Sequence, residues 1–187
     1  MNIFEIKGSW TDGLVLDWHR LYRRDDPRRQ SGDESRTELG QMVYDLKFNN
    51  DFTKVGILAM ELARAIESRG YDPSIVAHIP PSRVRPRQPA EELAREVAIL
   101  LCRDFIPDLF YRTGVGKQVK FLEGRDERRA VLAADLRLGN RQLDTYTKVL
   151  LVDDVISTGT SFEIAAQLLR NSGRVQEIYV VAATRGD

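Results

Sequence analysis

The sequence predicts an α/β fold: a mostly parallel sheet with helices on both faces and a small N-terminal helical hood. Three observations carry that prediction. Val149, Leu150, Leu151 and Val152 form an apolar run without polar alternation, as a strand covered on both faces does. From Ser74 onward strand-like and helix-like segments alternate, the order that builds parallel sheets. The length, 187 residues, suits one domain with a proper core.

The elements follow in order. The first 36 residues are the least regular. Leu14, Val15 and Leu16 predict a short strand, whereas Arg23 to Arg36 is charged, has little to bury and reads as a loop or arm. Glu38 to Phe48 reads as a helix with Leu39, Met42, Val43 and Leu46 on one face. Asn49 and Asn50 break it, and Asp51 or Thr53 caps a second helix carrying Val55, Leu58, Ala59, Leu62 and Ile66 as far as Gly70. These paired helices are expected to cap an edge of the sheet. The division expected is 1–50 as arm and hood and 51–187 as core, within one structural domain. Ser74 to Ile79 predicts a strand, Ala90 to Cys102 a helix, and Asp108 to Tyr111 a short strand. A polar stretch from Arg112 to Arg129 precedes the strand at Val149, a helix from Phe162 to Arg170 and a last strand from Glu177 to Ala182.

Composition narrows the function classes. With 28 basic and 28 acidic side chains the formal net charge is zero, so no global field draws the chain to nucleic acid or membrane. The arginine-rich segment from Arg20 to Arg36 also carries Asp25, Asp26, Asp33 and Glu34 and lacks an aromatic platform, so a solvated arm is expected there rather than a nucleic-acid contact. Cys102 is the single cysteine, which excludes disulfide frameworks and cysteine-based zinc sites; among Ile99, Leu100 and Leu101 it reads as a small core residue. No apolar run approaches membrane-spanning length, and the opening Met-Asn-Ile-Phe-Glu-Ile lacks the pattern of a secretory signal. A cytoplasmic protein is the expectation. Of the two histidines, His78 reads as a satisfied packing residue inside an apolar strand, and His19 carries no signal.

The chemistry concentrates in Val149-Leu-Leu-Val-Asp-Asp-Val-Ile-Ser-Thr-Gly-Thr-Ser161. The strand is expected to end at Asp153 and Asp154. A small, hydroxyl-rich loop, Ser157, Thr158, Gly159, Thr160 and Ser161, then runs into a helix. Backbone N–H groups of such a loop and of a first helical turn form an anion site suited to phosphate. The adjacent carboxylates suit vicinal hydroxyls or, indirectly, Mg²⁺, and a phosphorylated sugar presents both features. A buried strand followed by an ordinary helix capped by Ser157 or Thr158 explains the hydroxyls but not the paired acids.

Two further segments fit the same ligand. Ile79-Pro-Pro-Ser-Arg-Val-Arg-Pro-Arg87 follows a strand directly, where open parallel sheets bind ligands, and its arginines offer paired donors to phosphate oxygens. A surface turn with solvated arginines is the plain alternative. Arg112 to Arg129 holds three glycines and six basic residues, as a lid closing over pyrophosphate does. Arg112, Lys117, Lys120, Arg125, Arg128 and Arg129 are its candidates for charge neutralisation, against the alternative of a solvated loop.

The 149–161 stretch resembles the phosphoribosyl-pyrophosphate (PRPP) signature of type I phosphoribosyltransferases. The resemblance implies that fold, with Asp153 and Asp154 on the ribose hydroxyls and on Mg²⁺, directly or through water, and Ser157 to Ser161 around the 5-phosphate. Pro81, Ser82 and Arg83 resemble the family's pyrophosphate loop. Tyr44-Asp-Leu-Lys-Phe48, the stretch from Arg83 to Ala94, and Arg112, Gln118, Leu122 and Glu127-Arg128 are similar to segments of the ComF-like branch, named after a competence protein. The resemblance covers residues 37 to 187. Two departures stand out: many ComF proteins carry an N-terminal four-cysteine zinc ribbon that is lacking here, and Arg87-Gln-Pro stands where Gly-Phe-Asn-Gln is common.

The implied activity is transfer of the phosphoribosyl group from Mg-PRPP to a small nitrogenous acceptor, with release of pyrophosphate. The resemblance also admits a non-catalytic PRPP sensor or an accessory protein of DNA uptake or processing. It leaves the acceptor and the oligomeric state open, a homodimer being common in the superfamily.

Overall fold

The strand Thr147–Ile156 is the axis of the fold, and its composition explains its place. Val149, Leu150, Leu151 and Val152 are fully enclosed, so the strand needs cover on both faces. The structure is a computed structural model that describes residues 2–22, 25–81, 85–114, 131 and 133–186. Its strands are β1 (Phe4–Glu5), β2 (Asp12–Trp18), β3 (Ile75–His78), β4 (Asp104–Phe105), β5 (Phe110–Arg112), β6 (Leu136–Leu138), β7 (Thr147–Ile156) and β8 (Val175–Arg185). The helices are α1 (Glu38–Phe48), α2 (Lys54–Ser68), α3 (Pro89–Leu100) and α4 (Thr160–Asn171).

Six strands form the main sheet in the order β1-β2-β8-β7-β3-β4. Every neighbouring pair is parallel except the β1–β2 hairpin. β5 and β6 make a separate antiparallel pair. This is the mixed α/β architecture that the alternation predicted.

Alternate residues of the strands serve two apolar layers. On one face, Leu14, Leu16, Val76, Leu150, Val152 and Val181 meet α1, α2 and α3 through Val43, Leu46, Leu58, Leu62, Leu93 and Val97. On the other, Val15, Ala77, Val149, Leu151 and Val180 meet α4 through Phe162, Ala165 and Leu169, and the β5–β6 pair through Phe110 and Leu136. Leu150 has no surface left, and Leu150→Ala costs about 3 kcal/mol by the usual cavity penalty.

Four expectations are corrected. Residues 4–18, assigned to an arm and hood, supply two strands of the main sheet, because β2 completes the apolar surface beside β8. The paired helices α1 and α2 cover a face of the sheet rather than its edge. Cys102 is exposed and left-handed (φ 53°) past the end of α3, whose buried stripe is Ala90, Leu93, Ala94, Val97 and Ala98. The apolar run Ile99-Leu-Leu that made it look interior is itself largely outside: Ile99 is 62% exposed. Finally, His78 is buried as expected but not satisfied, since its Nδ1 has no hydrogen-bond partner among the described residues.

Candidate functional site

At the carboxyl ends of the parallel strands the pairing of β7 becomes one-sided. β3 stops at His78, opposite Val152, whereas β8 follows β7 to Ile156, opposite Arg185. The strand therefore does not end at the acidic pair; β8 carries it two residues further. On the unpaired side it borders a cleft of about 370 Å³ lined by Ile79, Pro80, Pro81, Arg85, Arg112, Asp153, Asp154 and Lys47 among others. Ligands of open parallel sheets bind at this end.

Successive strand residues point to opposite faces, and the two carboxylates divide accordingly. Asp154 faces α1, and Lys47 Nζ lies 3.0 Å from its Oδ1. Asp153 Oδ1 accepts the backbone N–H of Asp154 at 2.8 Å. Burial, and then the neighbouring Asp154 carboxylate, hold Asp153 well above the usual carboxylate range, and the Lys47 ammonium opposes them. Thr184 Oγ1 donates to the Asp154 carbonyl at 3.5 Å and lies 3.1 Å from His19 Nδ1. His19 is pushed below its ordinary value, chiefly by burial and then by Arg36, Lys47 and Arg20.

A second cavity, about 170 Å³, adjoins the first. Its walls are Asp153, Val155, Ile156 and the unbroken run Ser157 to Phe162. The two cavities share Asp153, Val155 and Ser161. Gly159, at φ 76°, is the N-cap of α4, a left-handed position that suits glycine. Glycine has no side chain with which to cap the helix, and Thr158 supplies a side-chain acceptor instead, its Oγ1 taking the Thr160 N–H at 3.4 Å. The first-turn N–H groups of a helix have no intrahelical partner, and here they border the small cavity. Thr158 Oγ1 and Thr160 Oγ1 lie 2.9 Å apart at its rim. Trp10 supports the loop from beneath, its ring in edge contact with Phe162.

The other expected site residues are distributed unevenly. Pro81 lines the large cleft. Ser82 and Arg83 lie outside the described residues, as do Lys117, Lys120, Arg125, Arg128 and Arg129. Arg112 lines the cleft but is engaged: its Nε donates to the Pro80 carbonyl at 2.7 Å and NH1 pairs with Asp135 at 3.0 Å. Of the other loop arginines, Arg85 lines the cleft, while Arg87 turns outward to Glu92 and lies 3.8 Å from the centre of the Phe52 ring. Lys47, Phe48 and Gln88 also line the cleft and were not singled out as site residues. Lys47 lies inside the Tyr44–Phe48 segment, but that segment gives no sign of its partner, which is 107 residues away.

Among the described residues no cluster of three or more His, Cys, Asp and Glu converges. Two hard carboxylates on an open cleft suit Mg²⁺ in another way. That ion keeps several waters and completes its shell with one or two carboxylates and substrate phosphates.

No family model and no curated protein matches the chain. Among solved structures it is similar to the adenine phosphoribosyltransferase of Leishmania tarentolae, with a TM-score of 0.54 at 12% identity, covering 98% of this chain and 94% of that one. The chain has the fold of a type I phosphoribosyltransferase. Weaker likenesses are to the adenine phosphoribosyltransferases of Thermoanaerobacter pseudethanolicus (TM-score 0.48, 18% identity, 74% of this chain and 83% of that one) and Leishmania donovani (0.47, 12%, 75% and 68%). At these identities the likeness is one of fold. Within the phosphoribosyltransferase fold, the paired acids and small-residue loop lie where β7 passes into α4. No helix among the described residues is long and apolar enough to cross a membrane.

Proposed function

We propose that the protein is a phosphoribosyltransferase that binds Mg-PRPP and transfers its phosphoribosyl group to a small nitrogenous acceptor, releasing pyrophosphate. One observation carries the reading: two adjoining cavities of about 170 and 370 Å³ share Asp153. The donor has three parts in a row. Its 5-phosphate suits the small cavity, where loop and helix N–H groups meet an anion. Its ribose hydroxyls suit Asp153 and Asp154, and its pyrophosphate suits the large cleft beside Pro81 and Arg85. Ser82 and Arg83 belong to the same loop, and the basic segment carrying Lys117, Lys120, Arg125 and Arg128 is assigned as a lid by its composition.

Departure of pyrophosphate leaves positive charge on the ribose, and the protein has little covalent work to do. Its residues hold donor and acceptor in line and balance charge. Asp153 and Asp154 fix the ribose and hold Mg²⁺, directly or through water; bound Mg²⁺ supplies charge for the leaving pyrophosphate. Binding of the remote 5-phosphate supplies energy for alignment at the reacting carbon. The ComF-like segments at Tyr44–Phe48 and Arg83–Ala94 support that branch, and a homodimer is the assembly proposed.

The test is release of pyrophosphate from Mg-PRPP in the presence of a panel of nitrogenous bases and amines, with products read by mass spectrometry. A phosphoribosylated product with stoichiometric pyrophosphate supports the reading. Donor binding without turnover across the panel contradicts the enzymatic part of it.

A further inference from the structure

Lys47 closes α1, and its ammonium leaves that helix for the acidic pair. Asp154 is nearly sealed, with 7% side-chain exposure, whereas Lys47 keeps 24% and lines the large cleft. The helix that carries it is firmly seated. Thr37 caps it, accepting the Gly40 N–H at 2.9 Å and donating to the Trp18 carbonyl at 2.6 Å. Gly40 approaches β2 so closely that a Cβ there would meet the His19 carbonyl oxygen at 2.0 Å. Val43 and Leu46 are fully buried. The ammonium is thereby held between a buried carboxylate and an open cleft.

Among the described residues, three neighbouring arginines are engaged elsewhere, while Arg85 lines the far side of the cleft by the proposed pyrophosphate loop. Arg20 and Arg36 both pair with Glu34, at 3.3 and 3.1 Å, and Arg36 lies 3.8 Å from the centre of the Tyr44 ring. Arg112 is taken by Asp135 and Pro80. Lys47 is the cation paired with Asp154 among the described residues. Two adjacent carboxylates at a buried strand end need a nearby cation, and an ammonium on a flexible stem can be exchanged for another one.

Resting on the donor-site reading above, we infer that Lys47 is a positioning residue with two stations. In the empty site it stands as counter-ion to Asp154, in the place of a divalent cation. When the donor binds, the ammonium turns into the cleft and donates to the donor's anionic oxygens, which frees Asp154 for the ribose hydroxyls. The role gives Lys47 opposite effects on two ligands: it competes with bare Mg²⁺ and assists PRPP. A merely structural lysine weakens both when lost.

The experiment is calorimetric titration at pH 8 of MgCl₂ alone, and then of PRPP at saturating Mg²⁺, into wild type, K47M, K47Q and K47R. Removing a positive charge so near the carboxylates makes Mg²⁺ bind about tenfold tighter in K47M and K47Q. PRPP binds those variants about tenfold more weakly, since a charge-assisted contact is lost. K47R stays near wild type in both titrations. Unchanged or weaker Mg²⁺ binding in the neutral variants overturns the inference, and so does an equal gain in K47R, because charge is then not the cause. Failure of the donor-site reading shows differently: wild type then binds no PRPP, whatever the Mg²⁺ affinities of the variants.

Discussion

Arg112 donates through Nε to the carbonyl oxygen of Pro80 at 2.7 Å, tying β5 to the turn that leaves β3. The same guanidinium pairs with Asp135, whose carboxylate also accepts the Gly114 N–H at 2.8 Å. Both side chains are largely buried, 14% and 5% exposed. Arg112 thus braces the start of the proposed pyrophosphate loop against the base of the proposed lid.

Removing that brace takes the Arg112 guanidinium away from a buried carboxylate. Arg112→Ala is expected to cost about 3 kcal/mol, the usual penalty for breaking a buried pair. That lowers the melting temperature by about 10 °C in a chain of this size. Adding Asp135→Asn recovers part of the loss, since the amide oxygen still accepts from Gly114. Thermal unfolding of the single and double variants checks this; equal melting temperatures for Arg112→Ala and wild type contradict it.

Gly159 sets a second prediction. A Cβ there meets only ordinary contacts, Ile156 Cδ1 at 3.6 Å and the Trp10 ring at 3.8 Å. The cost of substitution is therefore backbone strain at φ 76°, about 1–2 kcal/mol, rather than collision. Gly159→Val adds a branched side chain to the same strain, which the free loop relieves by leaving the left-handed conformation; regaining that conformation on binding is expected to weaken ribose-5-phosphate binding by at least about tenfold. Calorimetry with ribose-5-phosphate reads it directly, and retained affinity refutes the phosphate placement.

His78 gives a pH dependence whose sign is fixed by its surroundings. Burial lowers its affinity for protons; Glu91 opposes the effect, Arg95 adds to it, and the Phe105 ring lies at 6.1 Å. The unfolded chain takes up a proton near pH 6.5, and the folded one only at lower pH. The unfolded state thus binds more protons below that point, so stability is present above it and is lost as pH falls through the folded value. Urea unfolding between pH 7.5 and 5 is expected to show this loss, and His78→Gln to reduce it. Identical slopes for the two proteins contradict the assignment.

Much of the fold was legible because its signals are local. The Leu39, Met42, Val43 and Leu46 stripe marks α1, and Glu38–Phe48 is the helix found. The unbroken apolar run at Val149 marks the central strand. β1, β4 and β6 were not legible: each is two or three residues long and exists through its partner rather than its own pattern. The length of β7 past Asp153 likewise depends on β8. In the candidate site, the acids and the small-residue loop are contiguous and could be read; the Lys47–Asp154 pair and the Arg112 brace join residues far apart, so only the folded chain reveals them.

In the proposed donor site the acidic pair holds the ribose of PRPP between the two cavities. Titration of PRPP with Mg²⁺ into wild type and into the Asp153→Asn/Asp154→Asn double variant, with circular dichroism to verify the fold, tests it most directly. Wild type is expected to bind in a Mg²⁺-dependent way and the double variant to lose at least about a hundredfold, as when two charge-assisted contacts go. Equal affinity in the two proteins would contradict it.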